Sequence, residues 1–122
     1  MTKDYWFTSD THFFHENIIK YCNRPFSSAE EMNEVLIDNW NSVVKPGDIV
    51  YHLGDVTMGQ KSHGQFSSLW TRLNGRKRLV VGNHDDVKYL ASGAFFEKVM
   101  LWRAWNDKNL LFTHVPVHEE SI

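Results

Sequence analysis

The chain has 122 residues, of which 42% are hydrophobic, 14% aromatic and 23% charged. These proportions suit a single globular domain over residues 1–122 and exclude a mainly disordered chain. Thirteen Lys and Arg against 15 Asp and Glu leave a formal net charge of −2, which excludes a broad cationic face for tight nucleic-acid binding.

Local basic groups such as Arg76, Lys77 and Arg78 remain available to a small phosphate ligand. Cys22 is the only cysteine, so an internal disulfide is impossible and a reducing compartment fits. Met1 to Phe7 is too short and too polar for a signal peptide, and no apolar run approaches the roughly 20 residues that span a bilayer. The chain reads as cytoplasmic, with no membrane partner.

In chain order, Tyr5 to Ser9 is an aromatic-rich strand running into Asp10-Thr11-His12. His15 to Cys22 forms a short helix stopped by Asn23-Arg24-Pro25, with Cys22 packed on one face. Ser28 and Glu31 then set up a capping box. Met32, Val35, Leu36, Trp40, Val43 and Val44 recur at helical spacing until Lys45-Pro46-Gly47.

Asp48 to Leu53 is a buried strand leading to Gly54-Asp55, with His52 inside it as a structural or ligand-supporting histidine. Phe66 to Leu73 is a helix, and Arg78 to Val81 a strand followed at once by Gly82-Asn83-His84-Asp85. Val87 to Ser92 is a short helix. Val99 to Trp105 and Leu110 to Thr113 flank Asn106–Asn109 as a hairpin. The five tryptophans are expected to fill the core. Alternating strands and helices give an α/β layered fold.

Metal-competent side chains stand just beyond the carboxyl ends of four of these strands: Asp10 and His12, Asp55, Asn83 and His84, and His114. Strand carboxyl ends line the ligand crevice in open α/β sheets. Oxygen and nitrogen donors without cysteine suit Mn, Fe, Zn or Ni and argue against a structural zinc site. Asp-x-His or Gly-Asp alone is a common turn; the four together, each after a strand, point to a metal centre.

Ser9-Asp10-Thr11-His12, Leu53-Gly54-Asp55, Val81-Gly82-Asn83-His84-Asp85 and Thr113-His114 resemble the successive motifs of the calcineurin-like metallophosphoesterases. The stretch from Asp10 through His15, Asn17, Ile18 and Ile19 to Asn23-Arg24-Pro25-Phe26 is similar to the small bacterial and phage members. The resemblance runs over residues 5 to 118. It implies a two-sheet β-sandwich flanked by helices, with two divalent metal ions, manganese first, and a small phosphorylated substrate.

The resemblance also implies that Asp10 and His12 hold one ion, Asn83 and His114 the other, with Asp55 bridging. His84 would stabilise the transition-state charge or protonate the leaving group, Asp85 would orient its imidazole, and Arg24 and His15 would meet the substrate. The expected activity is hydrolysis of phosphomonoesters or phosphodiesters by a metal-activated water; the alternative is a non-catalytic scaffold that binds metal or phosphate. The family pattern continues to a Gly-His-x-His that this sequence lacks, so the resemblance implies a C-terminally truncated domain, an exposed sheet edge and self-association through it.

Overall fold

The computed structural model describes residues 3–57, 63–82, 85–92, 95–108 and 110–114. The strands are β1 (Tyr5–Thr8), β2 (Ile49–His52), β3 (Arg76–Val80), β4 (Lys98–Met100), β5 (Arg103–Trp105) and β6 (Leu110–Phe112). The helices are α1 (Glu16–Tyr21), α2 (Ala29–Val43), α3 (His63–Trp70) and α4 (Val87–Ser92). Strands β1-β2-β3-β4 form a parallel sheet in that order, and β5-β6 a second, antiparallel sheet.

Side chains alternate across the central sheet, and each face has its own partner. Val50 and Leu79 join Ile37, Trp40, Val44, Phe66, Trp70 and Leu90 in the buried core under α2, α3 and α4. On the opposite face Phe7 stacks on Phe112 with centroids 4.7 Å apart, and Tyr5 meets Trp105 edge-on at 5.3 Å. The result is a mixed α/β fold with two packed sheets and flanking helices.

All four residues of β2 are buried, as a strand covered on both faces requires. Asp48, at its start, accepts hydrogen bonds from the backbone N–H of Lys45 (3.0 Å) and Asp4 (3.1 Å) and from the Trp6 indole (3.0 Å). These donors, Lys45 first, hold its carboxyl below the usual range. Among the described residues no helix is long and apolar enough to cross a membrane.

Several expectations shift. In α2 the buried residues are Ala29, Met32, Asn33, Ile37 and Trp40, whereas Val43 is exposed; the buried stripe is rotated toward Asn33 and Ile37. The single strand expected over Val99 to Trp105 breaks at Leu101-Trp102. Its first part pairs in parallel with β3 and its second forms the hairpin with β6, so the chain changes sheets midway.

Trp6, Trp40, Trp70 and Trp105 are buried or half-buried as expected, but Trp102 is 62% exposed. Cys22 is exposed rather than packed. Arg76 and Arg78 both pair with Glu97. Burial lowers the Lys77 amine to about 8, with Nζ donating to the Trp70 carbonyl and lying over the Trp70 ring.

The Ser28 hydroxyl caps α2 by accepting the Glu31 N–H at 3.1 Å. The other half of the box differs, because the Glu31 carboxylate accepts the Ser27 hydroxyl. Ser28→Ala should cost about 1 kcal/mol of stability, the usual value of a side-chain N-cap, measured by urea unfolding against wild type.

Candidate metal centre

Parallel strands end at the same side of a sheet, so the loops after β1, β2 and β3 are neighbours. The first two continue the sheet's hydrogen bonding beyond the strands. The N–H groups of Asp10, His12 and Phe13 donate to the carbonyls of Gly54, Asp55 and Val56 at 2.8, 3.1 and 3.0 Å. This continued pairing carries Asp10, His12 and Asp55 to one place.

The loops after β2 and β3 meet more closely still. A Cβ at Gly54 would lie 2.6 Å from the Gly82 Cα, and one at Gly82 would lie 2.6 Å from Asp55 Oδ1. Gly54 also has a φ of +111°. Only glycine fits both positions.

Oxygen or nitrogen atoms of Asp10, His12 and Asp55 lie within 4.8 Å of one another, a set able to hold a metal ion. His12 Nε2 is 3.5 Å from Asp10 Oδ1 and 3.7 Å from Asp55 Oδ2. From the other sheet His114 brings its Nε2 to 3.3 Å from the same Asp55 Oδ2. Donors bound to one ion at about 2.1 Å stand about 3.4 Å apart in a tetrahedral shell, so these separations fit a cation between the groups.

The imidazoles are held with Nε2 toward the cluster. His114 Nδ1 is 2.7 Å from the Leu53 carbonyl; a carbonyl only accepts, so Nδ1 carries a proton and Nε2 is left to face the cluster. His12 uses Nδ1 against His15 Nδ1 at 3.3 Å. Burial lowers the His12 pKa despite the nearby Asp55, favouring the neutral ring. Burial raises the Asp10 carboxyl, but the Ser9 hydrogen bond and the His114 and His12 imidazoles outweigh it and leave the pKa lowered.

The backbone here is strained. Asp10, His12, Phe14 and Asp55 have φ of 55°, 48°, 65° and 55°, a region that costs a non-glycine residue about 1–3 kcal/mol. Identifiable groups hold it. Arg24 donates to the carbonyls of Asp10 (2.7 Å) and Thr11 (3.1 Å), and buried Asn33 accepts the Phe14 N–H at 3.2 Å.

Thr11 donates its hydroxyl proton to the Val56 carbonyl at 2.7 Å, which leaves its oxygen to accept from His52 Nε2–H at 3.0 Å. His52 Nδ1 then accepts the Gly54 N–H at 3.1 Å. Full burial lowers the His52 pKa to about 3, consistent with a neutral ring that cross-links the two loops.

Of the residues expected here, Asp10, His12, Asp55 and His114 come together, while Asn83 and His84 lie outside the described residues. His15 touches the His12 ring, and Arg24 is engaged with backbone carbonyls. Asp85 does something the sequence did not announce. Its Oδ2 accepts the N–H of Gly82 (2.7 Å) and Asp55 (3.0 Å), and its Oδ1 that of Val56 (2.8 Å).

One carboxylate therefore binds the loop after β2 to the loop after β3. Thr11 was silent in sequence, and Arg24, expected to meet the substrate, spends its guanidinium on the Asp10 and Thr11 carbonyls instead; such backbone partners are encoded by no side-chain pattern. Asp85→Asn puts an NH₂ against a backbone N–H and should cost about 2 kcal/mol or more. Asp85→Glu should not restore it, because a longer arm cannot meet all three amides. Chemical unfolding of the two variants checks both statements.

The Calcineurin-like phosphoesterase family profile matches residues 4–121. The chain is 56% identical over 77 residues to an uncharacterized protein of Methanocaldococcus jannaschii, a match covering 63% of this chain and 44% of that protein. It is 42% identical over 82 residues to the Gene 66 protein of Mycobacterium phage L5, covering 66% and 39% of the two chains. A crystal structure of a protein of unknown function from Aquifex aeolicus superposes with a TM-score of 0.77 at 35% identity, covering 94% of this chain and 62% of that one. The matched stretches thus span less than half of the curated relatives, and the chain that joins these strand-end side chains belongs to the calcineurin-like phosphoesterase family.

Proposed function

We propose that this chain is a metal-dependent phosphoesterase that hydrolyses phosphomonoesters or phosphodiesters with a metal-activated water. The observation that supports it most is the convergence of His12 Nε2 and His114 Nε2 on a single oxygen of Asp55, at 3.7 and 3.3 Å. Imidazole nitrogens facing a shared carboxylate oxygen fit divalent cations, and the mixed oxygen and nitrogen donors suit Mn, Fe, Zn or Ni. Two such ions, manganese first, would supply Lewis acidity to the phosphoryl oxygens and a lowered pKa to a bound water.

In this reading Asp10, His12 and Asp55 hold one ion, and Asp55, Asn83 and His114 the other. Asp55 is suited to the shared position because each carboxylate oxygen has lone pairs to spare. Asn83 offers a neutral amide oxygen, which limits negative charge where an anionic phosphate arrives. His84 protonates the departing ester oxygen.

Asp85 acts through Asp55, whose backbone it holds, and Arg24 through the loop that carries Asp10. His15 orients the His12 ring, as a second partner of a ligating imidazole does. The substrate is a small phosphorylated molecule.

Two measurements test this. Calorimetric titration of the purified chain with Mn²⁺ should show Asp55→Asn losing more affinity than Asn83→Ala; full metal occupancy in Asp55→Asn would remove the bridging role. His84→Ala should lower kcat on p-nitrophenyl phosphoesters by about 10²–10⁴ with metal content unchanged. Metal binding without turnover of any mono- or diester would favour a non-catalytic scaffold.

A further inference from the structure

Where the second sheet docks on the central one, a cavity of about 240 Å³ opens between them. Tyr5, Tyr51 and Arg78 line it from the central sheet, and Arg103, Trp105 and Lys108 from β5 and the turn Asn106–Lys108. Asp107 of the same turn is its one carboxylate among the described residues. Tyr51 and Arg78 are paired residues in mid-strand, so this cavity is separate from the cluster past the strand ends.

Its charge is unbalanced. Three cations against one carboxylate leave an excess of two positive charges in the lining. Arg78 also pairs with Glu97, but Glu97 is shared with Arg76, so counting both of them leaves the excess unchanged. Among the described residues neither Arg103 nor Lys108 has a carboxylate in ion-pair reach. In a chain whose formal net charge is −2, this grouping is not the by-product of a generally basic surface.

The hydrogen bonding points the same way. Arg78 Nη1 donates to the Tyr51 hydroxyl oxygen at 2.9 Å, and Arg103 and the Trp105 indole are donors to it as well. Burial raises the Tyr51 phenol, but these donors, Arg103 first, outweigh it and leave the pKa lowered. Every partner of this hydroxyl among the described residues is a donor, so its own O–H is left to find an acceptor in the cavity. Arg103 gives an N–H to the Ala104 carbonyl at 3.3 Å and has others to spend, and Lys108 adds an ammonium.

We propose that this cavity binds a small phosphate-bearing anion at a second site, apart from the metal centre. A phosphomonoester carries about −1.5 to −2 charge at pH 7 and three strong acceptor oxygens. That charge matches the excess in the lining, and guanidinium, ammonium and phenol donors suit those oxygens. The volume is that of about eight waters at ~30 Å³ each, enough for a phosphate with a small organic group and too little for a polymer. The Trp105 ring, edge-on to Tyr5 at 5.3 Å and to Tyr51 at 5.9 Å, gives the organic group an apolar wall. The site needs no metal and does not rest on the phosphoesterase reading.

Calorimetry on the purified chain, stripped of metal with EDTA and dialysed, isolates this site. Inorganic phosphate should bind one to one, and Arg103→Gln should weaken it about tenfold or more, the usual value of a hydrogen bond to a charged group. Asp107→Asn removes the opposing charge and should tighten binding, a gain that misfolding does not produce. Asp55→Asn should bind phosphate as wild type does.

Phenyl phosphate in the same titration identifies the occupant. Tighter binding than inorganic phosphate assigns the site to phosphomonoesters, and equal or weaker binding assigns it to free phosphate. No phosphate binding by the wild type, or an affinity that neither Arg103→Gln nor Asp107→Asn changes, overturns the proposal and leaves the metal centre untouched. Loss of binding in Asp55→Asn would place the anion at the strand ends and overturn it too.

Discussion

The backbone contact between the loops after β2 and β3 is the constraint on which the rest of the site depends. Gly54 and Gly82 approach so closely that a Cβ on either would fall 2.6 Å from the other loop. The Asp85 carboxylate then spans the contact, taking one amide from the β3 side and two from the β2 side. Asp55 sits between them, so its side-chain position follows from where two strands of the central sheet end. That contact adds to the backbone pairing with the loop after β1, which holds the other side of the Asp55 segment.

The same loops are held in a conformation that isolated residues avoid. Left-handed φ at Asp10, His12 and Asp55 costs energy that neighbouring contacts must offset, and each has an identifiable source. Arg24 satisfies two carbonyls, Asn33 satisfies an amide, and the Thr11–His52–Gly54 relay ties the first loop to the second through a buried neutral ring. Rigid support of this kind aims the Nε2 atoms before any ion arrives, so less ordering is left for binding.

The layers divide the labour. The helical face of the central sheet supplies the aliphatic and aromatic core that fixes β2 and β3. The opposite face uses Phe7, Tyr51, Trp105 and Phe112 to dock the second sheet, and that docking delivers His114 to Asp55. One member of the cluster, His114, thus depends on aromatic packing between sheets, a non-local interaction 59 positions along the chain from Asp55.

Much of this was legible in the chain itself. Residue types and their spacing located β1, β2, β3 and every helix to within a few residues, because periodic burial is written in local sequence. They also marked Asp10, His12, Asp55 and His114, since ligand chemistry resides in side-chain identity. Three things were decided only by tertiary structure.

The first is the break at Leu101-Trp102, where an apolar run passes from a parallel to an antiparallel sheet; pairing partners, and not propensity, end one strand and begin the next. The second is the rotation of the α2 stripe toward Asn33 and Ile37, set by what the helix packs on. The third is the work of Arg24, Thr11 and Asp85, whose partners are backbone amides and carbonyls. Every residue carries those groups, so sequence cannot say which of them will come within hydrogen-bonding reach; only the folded path of the backbone does.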